Sequence, residues 1–129
     1  MFDHVTLTVK DFLKSKAFYE KALLSLGLKE LFGEDGEFCG FGDTRPFFWI
    51  GASNASHQAS APVHVAFSGK SKEQVDAFYR VAIASGAKDN GEPGYHTEYG
   101  VGYYAGFVFD PDGNNIEVVY RDPNSSSKS

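Results

Sequence analysis

His4 and His64 occupy matching places in two half-length copies of one pattern. The first copy runs from His4-Val5-Thr6-Leu7-Thr8 to Ala17-Phe18-Tyr19, and the second from His64-Val65-Ala66-Phe67-Ser68 to Ala77-Phe78-Tyr79. His64 follows His4 by 60 positions, and Phe78 follows Phe18 by the same interval. Self-similarity at a fixed spacing marks one structural unit used twice. A pseudo-twofold axis between two such units would carry equivalent strands, with their imidazoles, toward a common cleft. Glu117 adds a third group: it interrupts the apolar run Ile116-Glu117-Val118-Val119-Tyr120, where an unpaired buried carboxylate costs several kcal/mol. Two imidazoles and one carboxylate can hold a divalent ion and leave coordination positions open to water or substrate. Spacing alone leaves a second reading open, in which the histidines bond to backbone on half-buried strands and Glu117 pairs with a lysine or arginine.

The elements that must position these groups follow from periodicity and turn residues. Residues 2–9 alternate as a strand, with Val5, Leu7 and Val9 on one face and His4, Thr6 and Thr8 on the other. Asp11 caps a predicted helix running to about residue 26, which Gly27 ends. Strands are expected over 28–33, 37–41 and 47–51, divided by Asp35-Gly36 and Gly42-Asp43. A polar linker with a solvated His57 leads to the second copy, which restarts as a strand over 63–67 and a helix capped by Ser71 that ends near Gly86. The turn formers in 89–96 predict an irregular loop there. Residues 103–109 and 115–121 form a hairpin around 110–114. An offset of 68 superposes Phe41-Gly42-Asp43 on Phe109-Asp110-Pro111 and sets Trp49 opposite Glu117.

The expected fold class is α+β, with two tandem βαβββ modules forming a curled mixed sheet around a central cleft. A single domain is expected over 1–122, with module one at 1–51, a linker at 52–61 and module two at 62–122. Residues 123–129 are expected to form a disordered tail.

A chain of 129 residues can build one core but not two independent domains. Hydrophobic residues at 42% and charged residues at 22% place it among soluble globular proteins, and 12 Phe and 7 Tyr can supply both a core and an apolar pocket wall. The net charge of −5 without any basic stripe argues against nucleic acid as a partner. No apolar stretch approaches the roughly 18 residues of a membrane span and no leader pattern opens the chain, so the expected location is the cytoplasm. Cys39, the one cysteine, lies in a strand-like run and reads as a buried thiol.

His4 on the opening strand, His64 on the repeat strand and the string Phe107-Val108-Phe109-Asp110-Pro111-Asp112-Gly113-Asn114-Asn115-Ile116-Glu117 resemble the vicinal oxygen chelate superfamily, the glyoxalase, bleomycin-resistance and extradiol-dioxygenase group. The resemblance covers nearly the whole chain, and its specific part is the Asp-Pro-Asp-Gly turn followed by Ile-Glu. It implies paired βαβββ modules around one divalent ion (Zn, Ni, Fe, Mn or Co) held by His4, His64 and Glu117. Glyoxalase I-like members carry a fourth ligand, a glutamate, where this chain has Trp49, whose indole offers no lone pair to a metal. Extradiol dioxygenases use an acid–base histidine near Trp49 and a tyrosine where Phe107 stands, and this chain has neither.

The resulting expectation is a metal-dependent, glyoxalase-like lyase or isomerase acting on a small oxygenated substrate that chelates the metal. The rival functions are a non-catalytic binding or resistance protein of the same fold and an Fe(II) extradiol-type dioxygenase. His96 and Glu98 are the candidate acid–base residues, and Trp49, Tyr99, Tyr103 and Phe107 are the candidate substrate contacts. A homodimer is expected, because open sheet edges and a concave face invite a second chain. The linker from Ala52 to Ala61 reaches about 33–36 Å when extended, so the modules sharing a site can belong to one chain or to two.

Overall fold

Alternation fixes the faces of the first strand. β1 (Val5–Val9) buries Leu7 and Val9 and turns Thr6 and Thr8 to the opposite face. The computed structural model describes residues 1–59 and 61–124, so most of the expected tail, residues 125–129, lies outside the described residues. Helix α1 (Phe12–Leu24) starts where the Asp11 carboxylate accepts the Lys14 backbone N–H at 3.2 Å. It ends where Gly27, at φ 77°, lets the Leu28 N–H reach back to the Leu23 carbonyl at 3.0 Å. Strands β2 (Lys29–Glu34), β3 (Phe38–Gly42) and β4 (Pro46–Ala52) complete the first module.

The second module repeats this order: β5 (His64–Ser68), α2 (Lys72–Ala84) capped by Ser71, β6 (Lys88–Tyr95), β7 (Tyr103–Phe109) and β8 (Asn115–Arg121). A single 3₁₀ turn, Thr97–Tyr99, stands between β6 and β7. The sheets run β1-β4-β3-β2 and β5-β8-β7-β6, each with one parallel pair, β1/β4 and β5/β8. They remain two separate four-stranded mixed sheets rather than closing into one, which leaves β1, β2, β5 and β6 as edges. Register upholds the offset of 68, since Thr6 faces Trp49 across β1/β4 and Ala66 faces Glu117 across β5/β8.

The segment expected to be a loop at 89–96 is mostly strand. β6 pairs with β7 through two register shifts, between Asp89 and Gly91 and between Gly91 and Gly94. It is an edge strand, so the N–H that Pro93 lacks can fall on the unpaired side or at an irregularity. Gly91 has φ 143°, and a Cβ there would approach the Phe107 ring to 3.0 Å. The turn formers therefore mark bulges in the counterpart of β2, and the residues added relative to the first module lengthen β6 and form the 3₁₀ turn before β7.

The inward faces of both sheets and both helices share one core, in which Phe48 meets Phe67 edge-on at 5.1 Å across the module boundary. Cys39 is buried in it, as expected. The Asp-Pro-Asp-Gly-Asn turn ties the modules together. Buried Asp110 accepts the Tyr19 hydroxyl at 2.5 Å, the backbone N–H groups of Asp112 and Asn114, and the Asn114 side-chain amide. Asp112 accepts the Lys10 N–H at 3.0 Å, and Asn114 accepts that of Val63 at 2.9 Å. Burial, followed by the Asp110 charge, pushes the Tyr19 phenol well above its ordinary value. Its proton therefore stays in the bond.

Candidate functional site

Hairpin register places the chemistry. The 110–114 turn fixes the β7/β8 ladder so that Tyr103 faces Arg121 and Phe107 faces Glu117, each pair equidistant from Asp112. Because side chains alternate along a strand, Tyr103 and Phe107 share the β8 face of Glu117 and Arg121. That face is turned away from buried Ile116 and Val118. β5 lies on the other side of β8 and brings Ala66 opposite Glu117 and His64 opposite Asn115.

Glu117 is 2% exposed, a depth at which a carboxylate needs partners. It has two. His64 Nε2 stands 2.8 Å from Oε1, and the Tyr103 hydroxyl donates to Oε2. The reading in which a lysine or arginine pairs with Glu117 is thus replaced by one with an imidazole and a phenol. Burial, then the carboxylate it donates to, pushes the Tyr103 phenol up to about 12. It remains a donor at neutral pH. The His64 side chain is 53% exposed, so the pair is buried at its carboxylate end and open at its imidazole end. Asn115 Oδ1, on the strand position facing His64, is buried and has no hydrogen-bond partner among the described residues.

Around this pair stand most of the expected second-module residues. Phe107 lies 6.4 Å from His64 and meets the His96 ring edge-on at 5.4 Å. His96 stacks on Tyr99 at 5.7 Å, and Tyr99 meets Tyr103 at 5.3 Å. Glu98 Oε2 lies 3.6 Å from His96 Nδ1, at the exposed margin of the cluster. The rings of His96, Tyr99, Tyr103 and Phe107 form a continuous aromatic surface leading to the His64–Glu117 pair. Sequence reasoning missed Arg121, whose guanidinium carbon sits 4.9 Å above the Tyr103 ring. The signal was available in the equal distances of Tyr103 and Arg121 from the centre of the turn.

First-module candidates do not join this cluster within one chain. His4 Nδ1 contacts Asp3 at 2.8 Å, and Arg45 reaches the same carboxylate at 3.4 Å. The pair and Arg45 hold the Asp3 carboxyl below its ordinary range, with the His4 hydrogen bond foremost. Trp49 packs instead with Phe32 and Phe38, each at 6.2 Å, and shares no described contact with Tyr103 or Phe107. The candidate substrate contacts are therefore divided, with Trp49 on one sheet and Tyr99, Tyr103 and Phe107 beside the other. Gly40 explains how Trp49 lies: a Cβ there would come within 2.8 Å of the indole, so the missing side chain lets the ring settle across β3. Among the described residues, no three His, Cys, Asp or Glu side chains gather closely enough to hold a metal ion.

A family model described as Glyoxalase/Bleomycin resistance protein/Dioxygenase superfamily matches residues 1–118. A glyoxalase/bleomycin resistance protein from Albidiferax ferrireducens T118 is 28% identical, with a TM-score of 0.80 over 95% of this chain and 99% of that one. A glyoxalase/bleomycin resistance protein/dioxygenase family enzyme from Burkholderia phytofirmans PsJN shares the fold at 23% identity and a TM-score of 0.72, covering 93% and 98% of the two chains. Lactoylglutathione lyase from Agrobacterium tumefaciens does so at 21% identity and 0.69, covering 93% and 92%. No functionally curated protein matches the chain well enough to count.

Proposed function

The chain belongs to the glyoxalase/bleomycin resistance protein/dioxygenase superfamily, and from that premise we propose that it is a metal-dependent lyase or isomerase acting on a small oxygenated substrate. The observation that carries this reading is the buried Glu117 carboxylate, matched with His64 and Tyr103 on a solvent-facing sheet surface. Replacing such a pair with apolar residues is often neutral or stabilising, so its presence at an open surface points to use rather than support.

The donor set suits a divalent ion in part. His64 Nε2 and Glu117 Oε1 are a nitrogen and an anionic oxygen from adjacent strands, and two such ligands leave a third to be supplied. In this reading the third is His4 from a second copy of the chain, in a homodimer whose modules share their sites. Either of the two chain arrangements is within the reach of the linker. A bound ion would supply Lewis-acid polarisation of vicinal substrate oxygens.

The chain's own residues do the rest. Tyr103 holds Glu117 by its second oxygen and so fixes which oxygen faces His64. Phe107 and Tyr99 present apolar surface to the substrate beside the pair. His96, oriented by Glu98 on one side and stacked on Tyr99 on the other, is placed to move a proton at an imidazole nitrogen. One buried free cysteine fits work in a reducing cytoplasm. Among the described residues no helix is long and apolar enough to cross a membrane.

The test is calorimetric titration of chelator-treated protein with nickel and zinc. Stoichiometric binding is expected for the wild type, with Glu117→Gln weakening it by about tenfold or more through loss of the anionic ligand. No stoichiometric ion in the wild type would sink the enzyme reading in favour of an aromatic binding protein, for which the Trp49, Phe32 and Phe38 cluster is the specific support.

A further inference from the structure

We infer that Arg121 is the specificity residue of this site and selects substrates that carry a carboxylate, or a like oxyanion, at the end away from their chelating oxygens. The inference rests on the site proposed above and adds the class of molecule it takes.

Arg121 stands directly across the ladder from Tyr103, and its guanidinium carbon lies 4.9 Å over that ring. The same Tyr103 donates to Glu117, whose other oxygen meets His64. The cation is therefore one phenol ring away from the carboxylate–imidazole pair, on the same sheet face. Gly100, at φ 141°, passes beside it, where a Cβ would lie 4.0 Å from a guanidinium nitrogen. A contact with an aromatic face uses none of the N–H donors of a guanidinium, which stay available to match the two oxygens of a carboxylate.

The charges around it are already committed. Glu117 is satisfied by His64 and Tyr103, and Glu98 pairs with His96 at 3.6 Å. Among the described residues no carboxylate forms an ion pair with Arg121, although the chain as a whole carries a net charge of −5. Beside the carboxylate–imidazole pair, Arg121 is thus a local anion receptor in a field that otherwise repels anions. Neutral substrates would gain nothing from it. A substrate with a distal carboxylate would gain a bidentate, charge-assisted contact.

The test uses two probes with the same vicinal oxygens, 2-hydroxyglutarate and 2-hydroxypentanoate, which differ in a distal carboxylate against a distal methyl. Each is titrated calorimetrically into wild-type, Arg121→Gln and Arg121→Lys protein, with nickel present. Wild type is expected to prefer hydroxyglutarate by about tenfold or more. Arg121→Gln should bind both alike, and Arg121→Lys should keep a reduced preference because an ammonium lacks the planar fork. A merely structural arginine would change both affinities together and leave their ratio intact. Equal affinities in the wild type, a preference that survives Arg121→Gln, or no binding of either probe overturns the inference. A parallel nickel titration separates the two ideas. Stoichiometric nickel without the preference defeats only this one, whereas an Arg121-dependent preference without nickel binding defeats only the metal reading.

Discussion

Tyr103 shows how a single hydroxyl can decide the state of a site. Its donation to Glu117 gives a 2%-exposed carboxylate one of its two partners. Removing that hydroxyl leaves an acceptor buried without a donor, a loss of about 1–3 kcal/mol. Tyr103→Phe should therefore lower the stability of the folded chain in urea denaturation, and the difference should depend on pH in a defined way. The phenol titrates at about 12 in the folded chain, above its ordinary 10.0. Folding thus favours the protonated form. The contribution is fully present below pH 10 and is lost as pH rises from 10 through about 12. Wild type and Tyr103→Phe should keep a constant gap in stability below pH 10, and the gap should narrow above it. A gap that is flat across that window would mean that folding does not raise the phenol above its ordinary value, and that the bond to Glu117 does not favour its protonated form.

At the scale of elements, the turn between β7 and β8 does two jobs, and they can be separated. It sets the register that puts Tyr103 and Phe107 beside Glu117, and through Asp110 it binds the Tyr19 hydroxyl of the other module. Tyr19→Phe removes one bond of that set and should cost about 1–2 kcal/mol by thermal or urea denaturation. Asp110→Ala removes the acceptor of four and should cost clearly more, about 3 kcal/mol or above. Equal costs would show that the turn holds its shape without Asp110. The same elements show what a sequence can reveal. Both helices were legible because a side-chain cap and a positive-φ glycine bracket each one, Asp11 with Gly27 and Ser71 with Gly86. The hairpin was legible because its turn residues are local. β6 was not, because an edge strand broken by two register shifts carries the composition of a loop, and only pairing with β7 reveals it. His64 and Glu117 were each legible, the first from the repeat and the second from its place in an apolar run, but their direct contact was not. Nor was the separation of Trp49 from Tyr103, since it depends on two sheets staying apart, and nothing local in either strand encodes that.

At the scale of the whole molecule, the two sheets leave their chemistry unshared. His4 sits with Asp3 and Arg45 in module one, while His64 and Glu117 stand together in module two. Large apolar side chains remain exposed on both, with Phe32 60% and Tyr99 59% accessible. Open edges at β1, β2, β5 and β6 add unpaired backbone groups to these faces. A twofold dimer would cover such surfaces and could bring module one of each chain to module two of the other, since an isologous interface repeats every contact twice. Sedimentation at micromolar concentration should then give about twice the 14.1 kDa chain mass. Metal binding in mixed variants tests the sharing directly. His4→Ala and Glu117→Ala each cripple both sites of their own dimer. In a mixed dimer with cross-chain sites, His4 of the Glu117→Ala chain meets the intact His64–Glu117 pair of the His4→Ala chain, and one of the two sites is whole. Equimolar mixing with free exchange should restore roughly a quarter of the wild-type metal capacity. No recovery from a mixture proven to have exchanged would exclude shared sites, and a monomer in sedimentation would remove the dimer and the sharing together.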